Sequence, residues 1–170
     1  LAKDAVCIEI NGQLADLNTL IKEDSRCRIF TSNDQTSLDV LRHSSAHILA
    51  QAVLNLFPNT KYGVGPSIED GFYYDFLFEN NIKEDDLLKI EKEMYKIVQE
   101  KQYFSKEFIS DKEALKIFST QQFKQELINT ADKGEGVGEG QVSTYKNKDF
   151  IDLCKGPHIP NTGYLKHFKL

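Results

Sequence analysis

The chain of 170 residues sets 21 Lys and Arg against 26 Asp and Glu, a net charge of −5, with 40% apolar and 28% charged residues. That length suits one ordinary domain, or one with a small appendage, and the composition excludes a wholly disordered chain. The acidic balance excludes a surface built throughout to grip a polyanion, while leaving room for a local basic stripe or a partner domain that does the gripping.

AVCIEI at 5–10 reads as a strand, Asn11-Gly12 as a tight hairpin turn, and 13–16 as the returning strand. Residues 17–22 suit one or two helical turns, 26–30 a strand, and 31–36 a polar linker. Some 36 residues of this kind cannot bury a core unaided, so the segment is expected to dock on the rest of the chain. The clearest helix runs over 38–57, where Leu41, Ile48, Leu49, Ala52, Val53 and Leu56 recur at helical spacing and Pro58 closes the run. KYGVGPSIEDGFYYDFLF at 61–78 suggests two strands joined near 69–71. A second helix is expected over 84–102 on Leu87, Leu88, Ile90, Met94, Ile97 and Val98, with Glu84, Asp85 and Asp86 at its positive end. Beyond it lie a strand at 103–110, a short helix capped by Asp111, and a helical turn or two over 123–128. A glycine-rich loop, GEGVGEG, occupies 134–140, and strands at 142–145 and 150–153 flank a turn at Asn147.

No apolar run reaches the length of a membrane-spanning helix, and LAKDAVCIEI lacks the basic-then-apolar layout of a secretion signal. A cytoplasmic protein with no membrane partner is expected. Cys7, Cys27 and Cys154 are an odd count without close spacing, which points to reduced thiols rather than a disulfide framework. Cys7 and Cys27 read as buried strand residues, Phe72, Tyr73 and Phe76 as core, and His167 as structural or surface. The start at Leu1 and the apolar FKL ending are expected to be cuts from something longer.

Imidazole is the side chain that works as acid or base near neutrality, so the histidines are the place to look for chemistry. His43 and His47 stand at i and i+4 and project from nearly the same side of their helix, next to Ala50 and Leu54 and off the Leu41, Ile48, Ala52 stripe. They should face a second wall rather than open solvent. Cys154 and His158 are also four apart, but Gly156-Pro157 replaces helix with a turn that can converge them. One sulfur and three nitrogens can bind Zn²⁺ tetrahedrally or line a polar catalytic pocket, and both readings stand. Each motif alone also has a bland reading, the histidine pair as a partly exposed helix face and the cysteine as a small hydrophobe.

HSSAHILAQAV, GPSIEDGFYYDF and DLCKGPHIPNTGYLKHFKL resemble, in order and with similar separations, successive blocks of the threonyl-tRNA synthetase editing domain. The N-terminal stretch is similar to the latter half of the small TGS-like β-grasp module that precedes that domain, and HFKL resembles the junction before the aminoacylating domain. Residues 1–36 are therefore read as a partial β-grasp module and 37–170 as the editing domain. The expected fold class is α+β, a long histidine-bearing helix packed on a mostly antiparallel sheet.

The resemblance implies hydrolysis of serine wrongly esterified to threonine tRNA. His43 and His47 would flank the misacylated 3′-terminal adenosine and the hydrolytic water, with Cys154, His158 and Asp152 completing the site. Tyr74 would line the pocket, Gly65 beside it would let backbone approach the substrate, and Lys124 in FKQELI matches the family's site lysine. The implied partners are tRNA and the remainder of the synthetase. No cofactor is expected, although the related alanyl type places metal on such a set, which keeps Zn²⁺ at His43, His47, Cys154 and His158 as the alternative. Cys154 as covalent nucleophile, with His158 as its base, ranks below an activated water. Lys155, Lys166 and Lys169 are candidate phosphate contacts. The rival functions are a noncatalytic tRNA-binding or regulatory module and a zinc-dependent hydrolase of another small ester.

Overall fold

The computed structural model describes residues 3–130 and 138–170, so most of the glycine-rich stretch at 134–140 lies outside the described residues. Strands β1 (Ala5–Ile10) and β2 (Gln13–Ala15) form the expected hairpin, with Asn11 and Gly12 at φ of 52° and 89°. Those left-handed values are what a two-residue hairpin turn requires. Strand β3 (Cys27–Thr31) pairs with the other side of β1, giving the order β2-β1-β3. The helical turns expected over 17–22 do not form. The Asp16 carbonyl accepts from the Thr19 N–H in an isolated turn, and Leu20 and Ile21 are exposed, so no apolar face is buried that would hold a short helix together.

Helix α1 (Gln35–Leu56) begins three residues earlier than the hydrophobic period indicates. Asp34 makes this possible, since its Oδ2 accepts from both the N–H and the hydroxyl of Thr31, at 2.7 and 2.9 Å, and ties the end of β3 to the helix start. The helix separates two apolar cores. Val40, Ile48, Ala52 and Val53 pack into one with Val6, Cys7 and Phe30 of the N-terminal sheet, whereas Ala46 and Ala50 face the other, with Tyr62, Tyr74 and Phe150. The N-terminal strands thus bury their apolar residues against α1, as their small size demanded.

Helix α2 (Glu84–Gln99) packs on α1 through Ile90, Met94 and Ile97, while Leu87 and Leu88, counted in its apolar stripe, are exposed. Residues 61–78 form four two-residue strands rather than two longer ones. Strand β4 (Lys61–Tyr62) pairs with β7 (Phe76–Leu77), and β5 (Ser67–Ile68) with β6 (Gly71–Phe72) around the expected turn. Between the two pairs, Gly63 donates to the Asp75 carbonyl and Asp75 to the Val64 carbonyl in an irregular continuation of the ladder, with Tyr74 in the second core and Tyr73 exposed.

Strands β8 (Ser105–Ser110), β9 (Gln141–Asn147) and β10 (Phe150–Leu153) make an antiparallel sheet of order β10-β9-β8. Between β8 and β9 lie helices α3 (Asp111–Ile117) and α4 (Gln122–Thr130); Ser110, not Asp111, caps α3 by accepting from the Glu113 N–H at 3.2 Å. Helices and antiparallel strands together give the α+β class. Among the described residues, no helix is long and apolar enough to cross a membrane.

Candidate functional site

Three parts of the fold converge where α1 meets the end of β10. The second core places His43 and His47 on the α1 face that carries Ala46 and Ala50, the irregular part of the 61–78 segment brings Gly65 and Tyr74, and β10 delivers Asp152 and then Cys154. These six line one cavity of about 380 Å³, together with Lys124 of α4 and apolar residues such as Val64, Leu127 and Val142. His158 is the exception among the expected residues. It is 1% exposed and lies behind the wall, its ring stacked between His43 and Phe104 at centroid distances of 4.5 and 4.6 Å.

The imidazole ring atoms and the sulfur form a tight cluster. His43 Nε2 is 3.0 Å from Cys154 Sγ, which is 3.4 Å from His158 Nε2 and accepts from the Gly156 N–H at 3.2 Å. Ser44, one residue on from His43, fixes the proton on His158. Its hydroxyl donates to the Val40 carbonyl at 2.8 Å, so it must accept at the 2.9 Å contact with His158 Nδ1. Nδ1 then carries the hydrogen, and Nε2 turns a lone pair toward the sulfur. His43 donates from its ring to the Gly65 carbonyl, and His47 Nε2 lies 3.6 Å from Asp152 Oδ2 while its Nδ1 has no hydrogen-bond partner.

Burial sets the protonation of the cluster. The pKa of His43 is lowered by desolvation, which outweighs the opposing pull of Asp152, and those of His47 and His158 are pushed well below 6.5 by desolvation first and by repulsion from neighbouring rings and lysines after that. All three are neutral at pH 7. The Cys154 thiol is pushed up to about 12 by burial and by the Asp152 charge, so it is protonated.

The lower wall is ionic. Lys124 Nζ sits 2.5 Å from Asp152 Oδ1, and two of its N–H groups go to the Gly63 carbonyl at 2.5 Å and the Tyr74 hydroxyl at 2.9 Å. Tyr74 in turn donates to Asp152 Oδ2 at 2.5 Å. Two Lys124 N–H groups are thus held by hydrogen bonds and its charge is paired with Asp152, although Asp152 Oδ1 itself has no hydrogen-bond partner. Gly65 lines the cavity, and a Cβ there would collide with the Tyr74 ring, so the missing side chain makes room for the tyrosine.

The four-residue set can hold a metal. Ligand atoms of His43, His47, Cys154 and His158 all lie within 4.8 Å of one another. Ser44, Gly65 and Asp152 brace the three rings from outside, as the outer partners of metal-bound histidines do. One sulfur with three imidazoles suits Zn²⁺.

Ser44, Asp16, Tyr145, Tyr62 and Phe104, which also touch the site, have no sequence signal beyond the position of Ser44 between the two histidines. Of the expected phosphate contacts, only Lys155 borders the cavity. Lys166 and Lys169 line a separate cleft of about 860 Å³ with His167, and Lys169 pairs with Glu91 at 3.0 Å. Cys27, expected to be buried, is exposed, while Cys7 is buried as expected.

Residues 142–170 match the family described as the threonyl and alanyl tRNA synthetase second additional domain. Over its whole length the chain is 49% identical to a threonine–tRNA ligase of Carboxydothermus hydrogenoformans, and 41% identical to that of Rickettsia akari. Over 99% of its length it is 44% identical to that of Desulfatibacillum aliphaticivorans. The chain spans 26% of the length of each of these relatives.

Proposed function

The chain belongs to the threonyl-tRNA synthetase family, spanning its editing-domain region, and on that premise we propose that it hydrolyses serine from wrongly charged threonine tRNA. A pocket that selects threonine loses only one methyl when serine enters, worth roughly 1–3 kcal/mol, so a second, hydrolytic site is needed to reach high fidelity. The observation that carries the reading is the convergence of neutral imidazoles and a buried ion pair on one 380 Å³ cavity. An aminoacyl ester is already activated, and a held water with proton transfer and charge stabilisation suffices to cleave it.

His43 is the half-buried member of the three rings; its depressed pKa leaves it neutral at pH 7, and its Nε2, turned from the Cys154 sulfur by substrate, takes the proton of the attacking water. His47 and Asp152 flank it, and Lys124 supplies positive field toward the negative charge that develops on the ester oxygen. The Tyr74 ring, seated in the space left by Gly65, walls the cavity against the extra methyl of threonine. Lys155 at the rim is placed to meet a phosphate of the tRNA 3′ end. A thiol with a pKa of about 12 is a poor nucleophile at pH 7, which favours water over covalent attack by Cys154.

The purified chain is tested with seryl-tRNA and threonyl-tRNA at low salt, following release of each amino acid. Selective loss of serine, slowed about 10²–10⁴-fold in His43→Ala, supports the reading. Binding of tRNA without release would support a noncatalytic module instead.

The ligand geometry also favours a second reading, a zinc-dependent hydrolase. Zn²⁺ held among His43, His47, Cys154 and His158 would polarise the ester carbonyl or acidify a water, at a position that one of the four yields or that a fifth ligand adds. Activity that vanishes in chelator and returns with Zn²⁺ would select it.

A further inference from the structure

Asp16 lies in the N-terminal segment, just after β2, yet both of its carboxylate oxygens are taken by groups more than a hundred residues away. Oδ1 accepts from the His158 backbone N–H at 2.8 Å, and Oδ2 accepts from the Tyr145 hydroxyl at 2.7 Å. The Tyr145 ring is fully buried on β9 and packs edge-on against the His158 ring at 4.5 Å. Its hydroxyl is pressed against Gly156, which holds φ at +73° and would collide with it through any Cβ. Gly156 donates its N–H to Cys154 Sγ, and the His158 ring stacks on His43.

We propose that Asp16 is a positioning residue of the hydrolytic site, clamping the turn between Cys154 and His158 so that sulfur and imidazole meet His43. The N-terminal segment is then a working part of the site. Removing the carboxylate leaves the His158 N–H and the Tyr145 hydroxyl without acceptors, frees Tyr145 to lift from Gly156, and lets the turn relax. Cys154 and His158 lose their register against His43, while the lining contributed by α1, α4 and the 61–78 segment keeps its place.

This inference rests on the reading of the cavity as an ester hydrolase, and its test has one arm that does not. In the whole 170-residue chain, Asp16→Ala is expected to cleave seryl-tRNA about 10–100-fold more slowly, the range typical of lost outer partners, with KM changed less than twofold. Asp16→Asn keeps an acceptor for the His158 N–H and restores most of the rate. Tyr145→Phe keeps the ring edge against Gly156 but loses the hydroxyl that Asp16 holds, and gives an intermediate loss, which keeps the test open should Asp16→Ala fold poorly. In the independent arm, ¹⁵N spectra of the imidazoles report the His158 tautomer, and Asp16→Ala should shift its ring resonances while leaving the remote His167 in place. Wild-type cleavage rates in folded Asp16→Ala and Tyr145→Phe, or unmoved His158 resonances, overturn the clamp. A wild-type chain that never cleaves seryl-tRNA, with His158 still displaced in Asp16→Ala, overturns the hydrolase reading and leaves the clamp standing.

Discussion

Lys124 Nζ lies 2.5 Å from Asp152 Oδ1 with both side chains sealed from water, at 1% and 2% exposure. A buried pair of this kind is no strong source of net stability, but breaking it leaves one charge stranded. Lys124→Met should therefore destabilise the protein by about 3–5 kcal/mol, lowering the melting temperature by roughly 10 °C for a chain of this size. The double variant Lys124→Met/Asp152→Asn, which strands no charge, should recover part of that loss. A single variant that melts with the wild type would show that the pair is not sealed as described.

The buried histidines make stability depend on pH. His47 and His158 have folded pKa values well below 6.5 because burial disfavours their charged forms. The unfolded chain therefore takes up protons first as pH falls. Their contribution is fully present above about pH 6.5 and declines below it by about 1.4 kcal/mol per pH unit for each ring, until the folded pKa is reached. Urea midpoints measured with chelator at pH 7.5, 6.5 and 5.5 should be level across the first interval and drop across the second. A flat profile to pH 5.5 would contradict the burial of the rings.

The three thiols should differ sharply in reactivity. Cys27 is exposed, whereas burial pushes the pKa of Cys7 up to about 11 and that of Cys154 up to about 12. Since the thiolate is the reactive species, Ellman's reagent at pH 7.5 should titrate one thiol in the native protein and three in denaturant. Rapid modification of Cys154 in Cys27→Ser would revive the case for a covalent nucleophile.

Gly65→Ala probes the wall opposite the histidines. The added methyl collides with the Tyr74 ring, and moving that ring breaks its hydrogen bond to Asp152. A stability loss of about 1–3 kcal/mol is expected from the overpacking. Serine selectivity should fall with it, read as the ratio of seryl-tRNA to threonyl-tRNA cleavage. An unchanged ratio would take Tyr74 out of substrate selection.

Local chemistry was legible in part: the helical turns at 17–22 and the Asp111 cap failed, while three other local readings agree with the structure. The Asn11-Gly12 hairpin, the helix bearing the histidines and the sides on which His43 and His47 project all come from turn preference and helical period. The convergence of Cys154 on His43 could be suspected from donor chemistry, and the turn at Gly156-Pro157 permits it. What could not be read was long-range. The position of His158 behind the wall depends on Phe104 and Ser44, and the use of Gly65 to admit Tyr74 depends on an irregular pairing within the 61–78 segment that no alternation pattern encodes. The exposure of Leu87, Leu88 and Cys27 has the same origin, since periodicity says which residues share a face but not how much of that face finds a cover.

The sharing of one core by Val6, Cys7, Phe30 and the α1 residues Val40 and Ile48 bears on how the molecule melts. A boundary proposed at residue 36 divides two resemblances along the chain, yet residues on both sides of it share this core. Calorimetry should accordingly record a single cooperative endotherm, the first 36 residues giving way together with the rest.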